Sequence, residues 1–485
     1  MHRFSLLLVL MCGIILPTSG NARIYHSDPL HSIQIEGNVR VIDLTLSDAI
    51  YLGLRDNRTI RSAYLERIAQ KFDLRVAEDS FTPKLMISGG YLSTRDQNDR
   101  NRQGNVSPNS TLLTPYGTRV SLGWSYQHTA SNNRGISQND GASITVIQPL
   151  LRGAGKDIAT ATVRLARLNE QINRLNLKST ISQTITQIII AYRELLLAQE
   201  QLKIAQDSLA RARQLIEVNR AMIAAGRMAE FEIVQTEAEV ASQELAYEEN
   251  RNRLDMARLG LLQLLALDLS SPVEATESLK VKPVNISSEL AIQQAELSQP
   301  SYLAQLLASK QADINLVVAR NDRLWDVSLV GGAEQQRNSS AQNTASHTWN
   351  NYVGIQVEIP LGDLSTQQAE VQARVRVKNQ SIQLAEARQQ LERDTSNAVR
   401  DINTRWRQFE IAQRARDLSR RKLEIEREKL SAGRSNNFQV LSFENDLRNA
   451  ENTSLNALIN YLNAQANLDQ TLGTTLQSWD IVLND

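Results

Sequence analysis

The sequence is short of several residue types, and each shortage excludes a class of structure. Its single cysteine, Cys12, lies in an apolar N-terminal stretch that we predict to be cleaved. The exported chain then has no cysteine for a disulfide or a thiolate metal site. Farther along, no run reaches the roughly 18 apolar residues of a membrane-spanning helix. The 53 basic and 53 acidic residues balance, which gives no argument for a nucleic-acid partner. Proline and glycine form no linker, so we expect one elongated body.

The N-terminal stretch, residues 1–22, has the three parts of a secretory signal. Arg3 supplies the positive charge, residues 5–16 are mostly apolar, and residues 17–22 contain a proline break followed by small residues. We therefore predict that the mature chain begins near Arg23.

The rest of the chain repeats itself. Three pairs of identical residues stand 242 positions apart (319 less 77): Ala77 and Ala319, Gly89 and Gly331, Gly90 and Gly332. Farther along the separation is 207 (432 less 225), because Ala225, Gly226 and Arg227 recur as Ala432, Gly433 and Arg434. A duplication with extra residues in the strand region of the first half explains both values. We predict two repeats, at residues 23–275 and 276–485.

The later part of each repeat has a seven-residue apolar period. In the first repeat, large aliphatic residues at this spacing are followed three positions later by alanines: Ile188, Leu195, Leu202, Leu209, Ile216 and Ile223, with Ala191, Ala198, Ala205 and Ala212. This is the a/d pattern of a coiled coil, and Ile402, Phe409, Leu423 and Leu430 continue it in the second repeat. Each repeat is predicted to end in two long helices that turn at Ala-Gly-Arg, where glycine closes a helix. The first helix, from about residue 158 to 225, would be roughly 100 Å long.

Short segments between the helices alternate apolar and polar residues. Val120, Leu122 and Trp124 form one apolar face, and Val353, Ile355 and Val357 form another. This period is typical of a transmembrane β-barrel strand with lipid on one side and water on the other. It is equally typical of a half-buried strand in a soluble sandwich.

The number of strands bears on that choice. The first half offers three candidates, at residues 85–93, 118–127 and 143–149, and the second half offers two, at 327–336 and 350–360. A chain that enters and leaves a membrane on the same side crosses it an even number of times, so we expect four spanning strands and leave open which candidate is excluded. Four strands cannot close a barrel, and open edges in lipid cost several kcal/mol for each unsatisfied backbone group. Strands in lipid would therefore require several copies to share one barrel.

Both repeats contain an ordered set of residues. The first repeat contributes Leu46, Ala49, Ile50, Asn57, Ala77, Pro83 and Tyr91, and the second contributes Leu290, Ala291, Ile292, Pro300 and Ala319. Together with the strand ends Gln148-Pro149-Leu150 and Ile359-Pro360-Leu361, this ordered pattern resembles the TolC-like outer-membrane efflux proteins. The resemblance extends from about Leu44 to Leu472.

The resemblance implies a mainly α fold with a β-barrel. Three protomers would contribute four strands each to one outer-membrane barrel, and their coiled-coil helices would continue it as an α-barrel across the periplasm. Such a homotrimer would be the exit duct of an inner-membrane transporter and its periplasmic adaptor, and would export small molecules or polypeptides. In that arrangement Val120, Leu122, Trp124, Val353, Ile355 and Val357 would face the lipid of the outer membrane.

The resemblance also implies two functional regions at the helical turns. Ala225, Gly226, Arg227, Ala432, Gly433 and Arg434 would form helix tips that contact the adaptor, although Ala-Gly is also an ordinary helix stop. Some family members close the periplasmic mouth with aspartates just after the last turn; the matching positions here are Gln439 and Ser442, with Glu232 and Gln235 in the first repeat. The acidic residues nearby, Glu232, Glu237 and Glu444, could instead be charged groups on a solvated helix face.

Two other functions fit parts of the pattern. The seven-residue period alone would suit a periplasmic coiled-coil scaffold without pore activity, and the strands alone would suit a passive porin. The five histidines are scattered without metal-ligand spacing, and nucleophile motifs are lacking. We therefore expect neither an enzyme nor a bound cofactor or metal.

Overall fold

The computed structural model describes residues 41–483, except 98, 134, 278, 280, 341, 342 and 363. The predicted signal at residues 1–22 and the start of the first repeat lie outside this part. The described residues from Val41 onward form one compact unit. Among the described helices, none contains an apolar stretch of the length that a membrane span requires.

Ten α-helices occur in the described residues, and two of them are very long. Helices α4 and α8 have 64 and 67 residues, which corresponds to roughly 100 Å each. In chain order the helices are α1 Leu46–Asp56, α2 Arg58–Glu78, α3 Lys156–Ala159, α4 Ala161–Ala224, α5 Glu232–Leu265, α6 Ser288–Ser298, α7 Pro300–Asp322, α8 Ser365–Ser431, α9 Asn437–Leu472 and α10 Thr475–Ser478. The predicted pairs of long helices are α4 with α5 and α8 with α9.

Eight strands form two sheets in the described part of the chain. Strand β1 pairs in parallel with β6, and the other six form an antiparallel sheet in the order β2-β3-β4-β5-β7-β8. The strands are β1 Ile42–Leu44, β2 Lys84–Arg95, β3 Arg100–Leu113, β4 Arg119–Ser131, β5 Gly135–Pro149, β6 Val273–Ala275, β7 Asp326–Ser340 and β8 Asn343–Glu358.

The expectation of four long strands was therefore wrong, because the large sheet has six. All five candidate segments are strands of this sheet, and β3 restores an even number. Strand β3 escapes sequence analysis because its first half is polar on both faces and Pro108 lies inside it. Its pairing with β4 skips Ser107 and Pro108, as expected for a residue that has no N–H to donate.

The helices and strands reproduce the duplication. Helices α6 and α7 begin 242 positions after α1 and α2 (288 less 46, 300 less 58), and β7 begins 242 after β2. The ends of α8 and α9 follow those of α4 and α5 by 207 (431 less 224, 472 less 265). The 35 extra residues of the first repeat (242 less 207) correspond to the hairpin β3–β4, which has no counterpart in the second.

The hairpin β3–β4 turns back next to the helices. Thr114 N–H donates to Thr118 O at 2.9 Å, and Gly117 N–H donates to Thr114 O at 2.9 Å. Gly117 has a φ of +89°, and a Cβ there would collide with the carbonyl oxygen of Gly153, just before α3. This turn, residues 114–118, thus lies at the helix-side end of the sheet.

A buried tyrosine is hydrogen-bonded to the segment that precedes the first helix of each repeat described here, α1 or α6. Tyr192 on α4 is fully buried, and its hydroxyl donates to Leu44 O at 2.9 Å, just before α1. Tyr461 on α9 is also fully buried; its hydroxyl donates to Lys282 O at 2.8 Å and accepts from Val284 N–H at 3.1 Å, just before α6. Each tyrosine belongs to a separate apolar cluster.

Candidate functional site

Each pair of long helices turns through the same backbone motif. Gly226 and Gly433 have φ values of +67° and +72°. Gly226 N–H donates to Ile223 O and Arg227 N–H to Met222 O, at 2.9 and 2.8 Å, and the second repeat repeats both bonds at Gly433 and Arg434. This Schellman arrangement satisfies the last carbonyls of α4 and α8.

The predicted tip residues are all exposed at these turns. Ala225, Gly226 and Arg227 lie between α4 and α5, and Ala432, Gly433 and Arg434 lie between α8 and α9. One turn farther on, Phe231 and Phe438 are 73% and 68% exposed at corresponding positions. Each tip therefore presents an arginine and an aromatic ring to solvent.

Three buried polar residues join the two hairpins just behind the tips. The Asn219 amide on α4 donates to Thr236 Oγ1 on α5 at 2.7 Å and to Asn437 Oδ1 on α9 at 2.9 Å. The Asn437 amide donates to Thr236 Oγ1 at 2.9 Å, and all three side chains are fully buried. Buried amides that bond one another fix a helix register, because a shifted register would leave them unpaired.

An ion-pair ladder continues away from the tips across α4, α8 and α9. Glu444 on α9, only 8% exposed, pairs with Arg211 on α4 at 2.9 Å and with Arg427 on α8. Seven residues farther on, Glu451 pairs with Arg420 on α8 at 3.0 Å and lies 3.8 Å from Arg211. The plain reading of Glu444 as a solvated group was therefore wrong, whereas Glu237 is exposed.

An apolar cluster lies beside the ladder and involves the same three helices. Its buried members are Leu215 on α4, Leu423 and Leu430 on α8, and Val440, Leu441 and Leu447 on α9. The hairpin ends are thus joined by apolar packing, buried amides and paired charges together.

The predicted mouth residues lie in the first two turns of α5 and α9. Gln235 is exposed, and Glu232, Gln439 and Ser442 are half-buried. The backbone carbonyl of Glu232 accepts from the Asn437 amide at 3.3 Å, and Gln439 N–H donates to Asn436 Oδ1 at 2.8 Å, which caps α9. Their assignment to the mouth stays a prediction.

A further carboxylate is hydrogen-bonded to the second tip. Glu426 on α8 corresponds to Asn219 in the first repeat (426 less 207), and it is 8% exposed. It accepts from Ser435 Oγ at 2.6 Å and pairs with Lys429 at 3.1 Å. The hydrogen bond from Ser435 and then the bond from Lys429 lower the pKa of Glu426 below the ordinary value of 4.5.

The lowered pKa of Glu426 predicts an acid-sensitive tip. A lowered folded-state pKa means that the bond stabilises the turn above the ordinary glutamate pKa and is lost as pH falls through the lowered value. We expect amide exchange of residues 432–440, measured by mass spectrometry and corrected for intrinsic rates, to accelerate on acidification. The variant Glu426→Gln should remove this pH dependence, and residues 225–233, where Asn219 replaces the carboxylate, should show none. Equal acceleration at both tips would contradict the assignment.

The six predicted lipid-facing residues share one face of the large sheet. The register places Val120 and Leu122 opposite Val146 and Ile144, and Val353, Ile355 and Val357 opposite Gly331, Leu329 and Val327. Residues at paired positions lie on the same face, and β5 pairs with β7 so that the two halves continue one another. The opposite face carries mostly serine, threonine, asparagine and glutamine.

Sequence reasoning missed the residues that join the hairpins. Asn219 stands seven positions after Ala212, so it was visible as a polar break in the alanine series. Glu444 and Arg427 gave no such signal, because a charged residue on a long helix is usually solvated. In the described residues, no group of three or more His, Cys, Asp or Glu is placed to hold a metal ion.

Long helical hairpins joined to an open sheet with one apolar face define the class of outer-membrane channel proteins. The family profile described as "Outer membrane efflux protein" matches residues 49–267 and 291–474. The chain belongs to this family. It is thus an exit channel of the outer membrane, and its long helices form the periplasmic part.

Solved structures share the fold at low sequence identity. The open-state MtrE outer membrane channel of Neisseria gonorrhoeae has a TM-score of 0.68 and 16% identity, over 95% of this chain and 98% of that one. The CmeC channel of Campylobacter jejuni has a TM-score of 0.66 and 17% identity, over 89% and 86%. The outer membrane protein VceC of Vibrio cholerae has 0.66 and 13%, over 88% and 96%. The sequence itself matches no curated protein.

Proposed function

We propose that three copies of this chain form one exit duct, which passes small molecules or polypeptides out of the periplasm with an inner-membrane transporter and a periplasmic adaptor. The observation that carries the proposal is the large sheet, which has one apolar face and two unpaired edges, β2 and β8. In lipid, unpaired backbone groups are costly, so other copies must complete the barrel. The proposal assigns transport and no catalytic step to the chain.

In this proposal the periplasmic helices carry the gate. The buried amides, the ion-pair ladder and the apolar cluster hold the two hairpins of one chain together behind the tips. Two packed helices can change between alternative packings without unfolding. Opening would then loosen contacts among α4, α8 and α9, and Glu232, Gln235, Gln439 and Ser442 would lie nearest to the mouth.

Membrane retention and conductance test the duct. The full mature chain should stay in the outer membrane after a carbonate wash, run as a trimer in detergent, and carry current in a planar lipid bilayer. A periplasmic scaffold would instead be released by carbonate and carry no current, and that result would refute the duct.

The tips offer a separate test of the adaptor contact. Because Arg227 and Arg434 are exposed at equivalent turns, we expect the double charge reversal Arg227→Glu with Arg434→Glu to weaken co-purification with the adaptor at least tenfold. Arg414, exposed on α8 and 20 residues before Arg434, provides a matched reversal, Arg414→Glu, that should leave co-purification unchanged. If both variants retain the adaptor equally, the tips are ordinary helix stops.

A further inference from the structure

We propose that the inserted hairpin β3–β4 gives the shared barrel eighteen strands in place of twelve, and so a wider, weakly charged outlet for large hydrated solutes. The inference rests on the proposed three-copy assembly, to which each copy contributes six strands. Barrel diameter grows roughly linearly with strand number, so the outlet would be about 1.5 times as wide. Barrels of 16–18 strands leave an open aqueous channel.

The hairpin is an integral part of the sheet. Strand β3 pairs with β2 along the whole of β2, from Lys84 opposite Thr111 to Arg95 opposite Arg100. Strand β4 pairs with β5 from Arg119 opposite Ile147 to Ser131 opposite Gly135. With 14 and 13 residues, both inserted strands exceed the roughly 9–11 residues that a tilted strand needs to span a bilayer.

The hairpin also continues the two faces of the sheet. Val106, Pro108 and Leu112 on β3 lie on the face of Leu122 and Trp124, which carries the predicted lipid contacts; Arg100 and Arg102 lie on the same face at the end of β3 farthest from the helices. The opposite face of the hairpin carries one apolar side chain, Leu113, and one charge, Arg119. Its other residues are polar or glycine: Asn101, Gln103, Asn105, Ser107, Asn109, Thr111, Ser121, Gly123, Ser125, Gln127, Thr129 and Ser131. This alternation is the pattern expected of strands with lipid on one side and water on the other.

The two sheet edges fit one another in adjacent copies. Strand β2 runs away from α2 and β8 runs back toward α8, so β8 of one copy and β2 of the next would pair antiparallel. Neither strand contains proline, and the charges of β2, Lys84 and Arg95, lie at its two ends. Edges without charges or proline along their length are open to pairing. Ile87 and Ile355, both 69% exposed, would extend the apolar face across the junction.

The polar face indicates what the outlet would pass. Its charged residues at the helix-side end are Lys84, Arg119, Asp326 and Glu358, and only Glu334 lies farther along the sheet. Amide and hydroxyl groups hydrogen-bond water without preferring one charge sign. The outlet would therefore admit bulky hydrated solutes of either charge.

Deletion of residues 100–134 tests the width. The deletion removes 35 residues, the excess of the first repeat, and joins β2 to β5 as β7 is joined to β8. In planar bilayers with graded neutral polyethylene glycols on the outer side, the full chain should admit polymers of about 1.5-fold larger radius than the deletion variant. Equal cut-offs would overturn the wide outlet but leave the channel intact. Absence of current from the full chain would overturn the proposed duct itself.

Cysteine labelling tests the hairpin in the full chain, even if the deletion variant fails to fold. Asn105→Cys places a thiol on the polar face of the sheet. Val106→Cys, at the next residue, places one on the apolar face. In lipid vesicles, a water-soluble maleimide should label Asn105→Cys at least tenfold faster than Val106→Cys, and urea should equalise the rates. Equal labelling before unfolding would place the hairpin outside the membrane and overturn the inference.

Discussion

Replacing Glu444 with alanine should loosen the hairpin ends and raise the current through the channel. Glu444 is 8% exposed and bridges Arg211 and Arg427, so its removal leaves Arg427 without this carboxylate and Arg211 with only Glu451, 3.8 Å away. Breaking a buried pair from one side costs about 3–5 kcal/mol, but these arginines are 21% and 38% exposed and can partly rehydrate. We expect a loss of about 2 kcal/mol, measured from guanidinium unfolding followed by helical circular dichroism.

The first repeat supplies the control for this change. Glu237 occupies the position equivalent to Glu444 (444 less 207) but is exposed, so Glu237→Ala should change stability by less than about 0.5 kcal/mol. In a double-mutant cycle, Arg211→Ala should cost much less once Glu444 is gone, because the two residues share one interaction. If Glu444→Ala and Glu237→Ala behave alike in both stability and current, the ladder does not hold the hairpins together.

Replacing Tyr192 with alanine should have the largest effect on stability. The ring is fully buried among residues of α1, α4 and α5, and large-to-small changes of aromatic core residues cost about 3–5 kcal/mol. Burial raises the pKa of the Tyr192 hydroxyl, which keeps it protonated as the donor to Leu44 O. We expect the guanidinium midpoint of helix loss to fall sharply.

The variant Tyr192→Phe distinguishes the contribution of the buried ring from that of the hydrogen bond. The phenylalanine keeps the packing, and Leu44 O still accepts from Thr276 N–H at 3.1 Å and from its hydroxyl at 3.3 Å. The loss should therefore be about 1 kcal/mol. Equal losses for the alanine and phenylalanine variants would show that the hydrogen bond, and not the packed ring, anchors the segment before α1.

The helical part of the fold was predictable because its signal is long and periodic. The predicted end of the first long helix at Ala225 is the C-cap of α4, and the Ala-Gly-Arg turn closes both helices as the glycine indicated. The duplication also located the extra residues of the first repeat correctly. A seven-residue period maintained over many turns leaves little room for another interpretation.

The strand count and the contacts of the hairpin ends were not predictable in the same way. Strand β3 is stabilised by pairing with β2 and β4 along its length. Its polar half therefore forms a strand without an alternation of apolar and polar residues. Glu444 is buried only because Arg211 and Arg427 approach it from two other helices. Such contacts between distant segments leave no periodic trace in the sequence.

Because of the turn at residues 114–118, the number of strands in the sheet can change without a change in the helices. The turn returns the chain beside Gly153 without adding a helix. The long helices of the two repeats are nearly equal in length: α8 is three residues longer than α4 (67 less 64), and α9 is two residues longer than α5 (36 less 34). A lineage could thus gain or lose this hairpin and alter the bore at the cell surface while the periplasmic docking end keeps its dimensions.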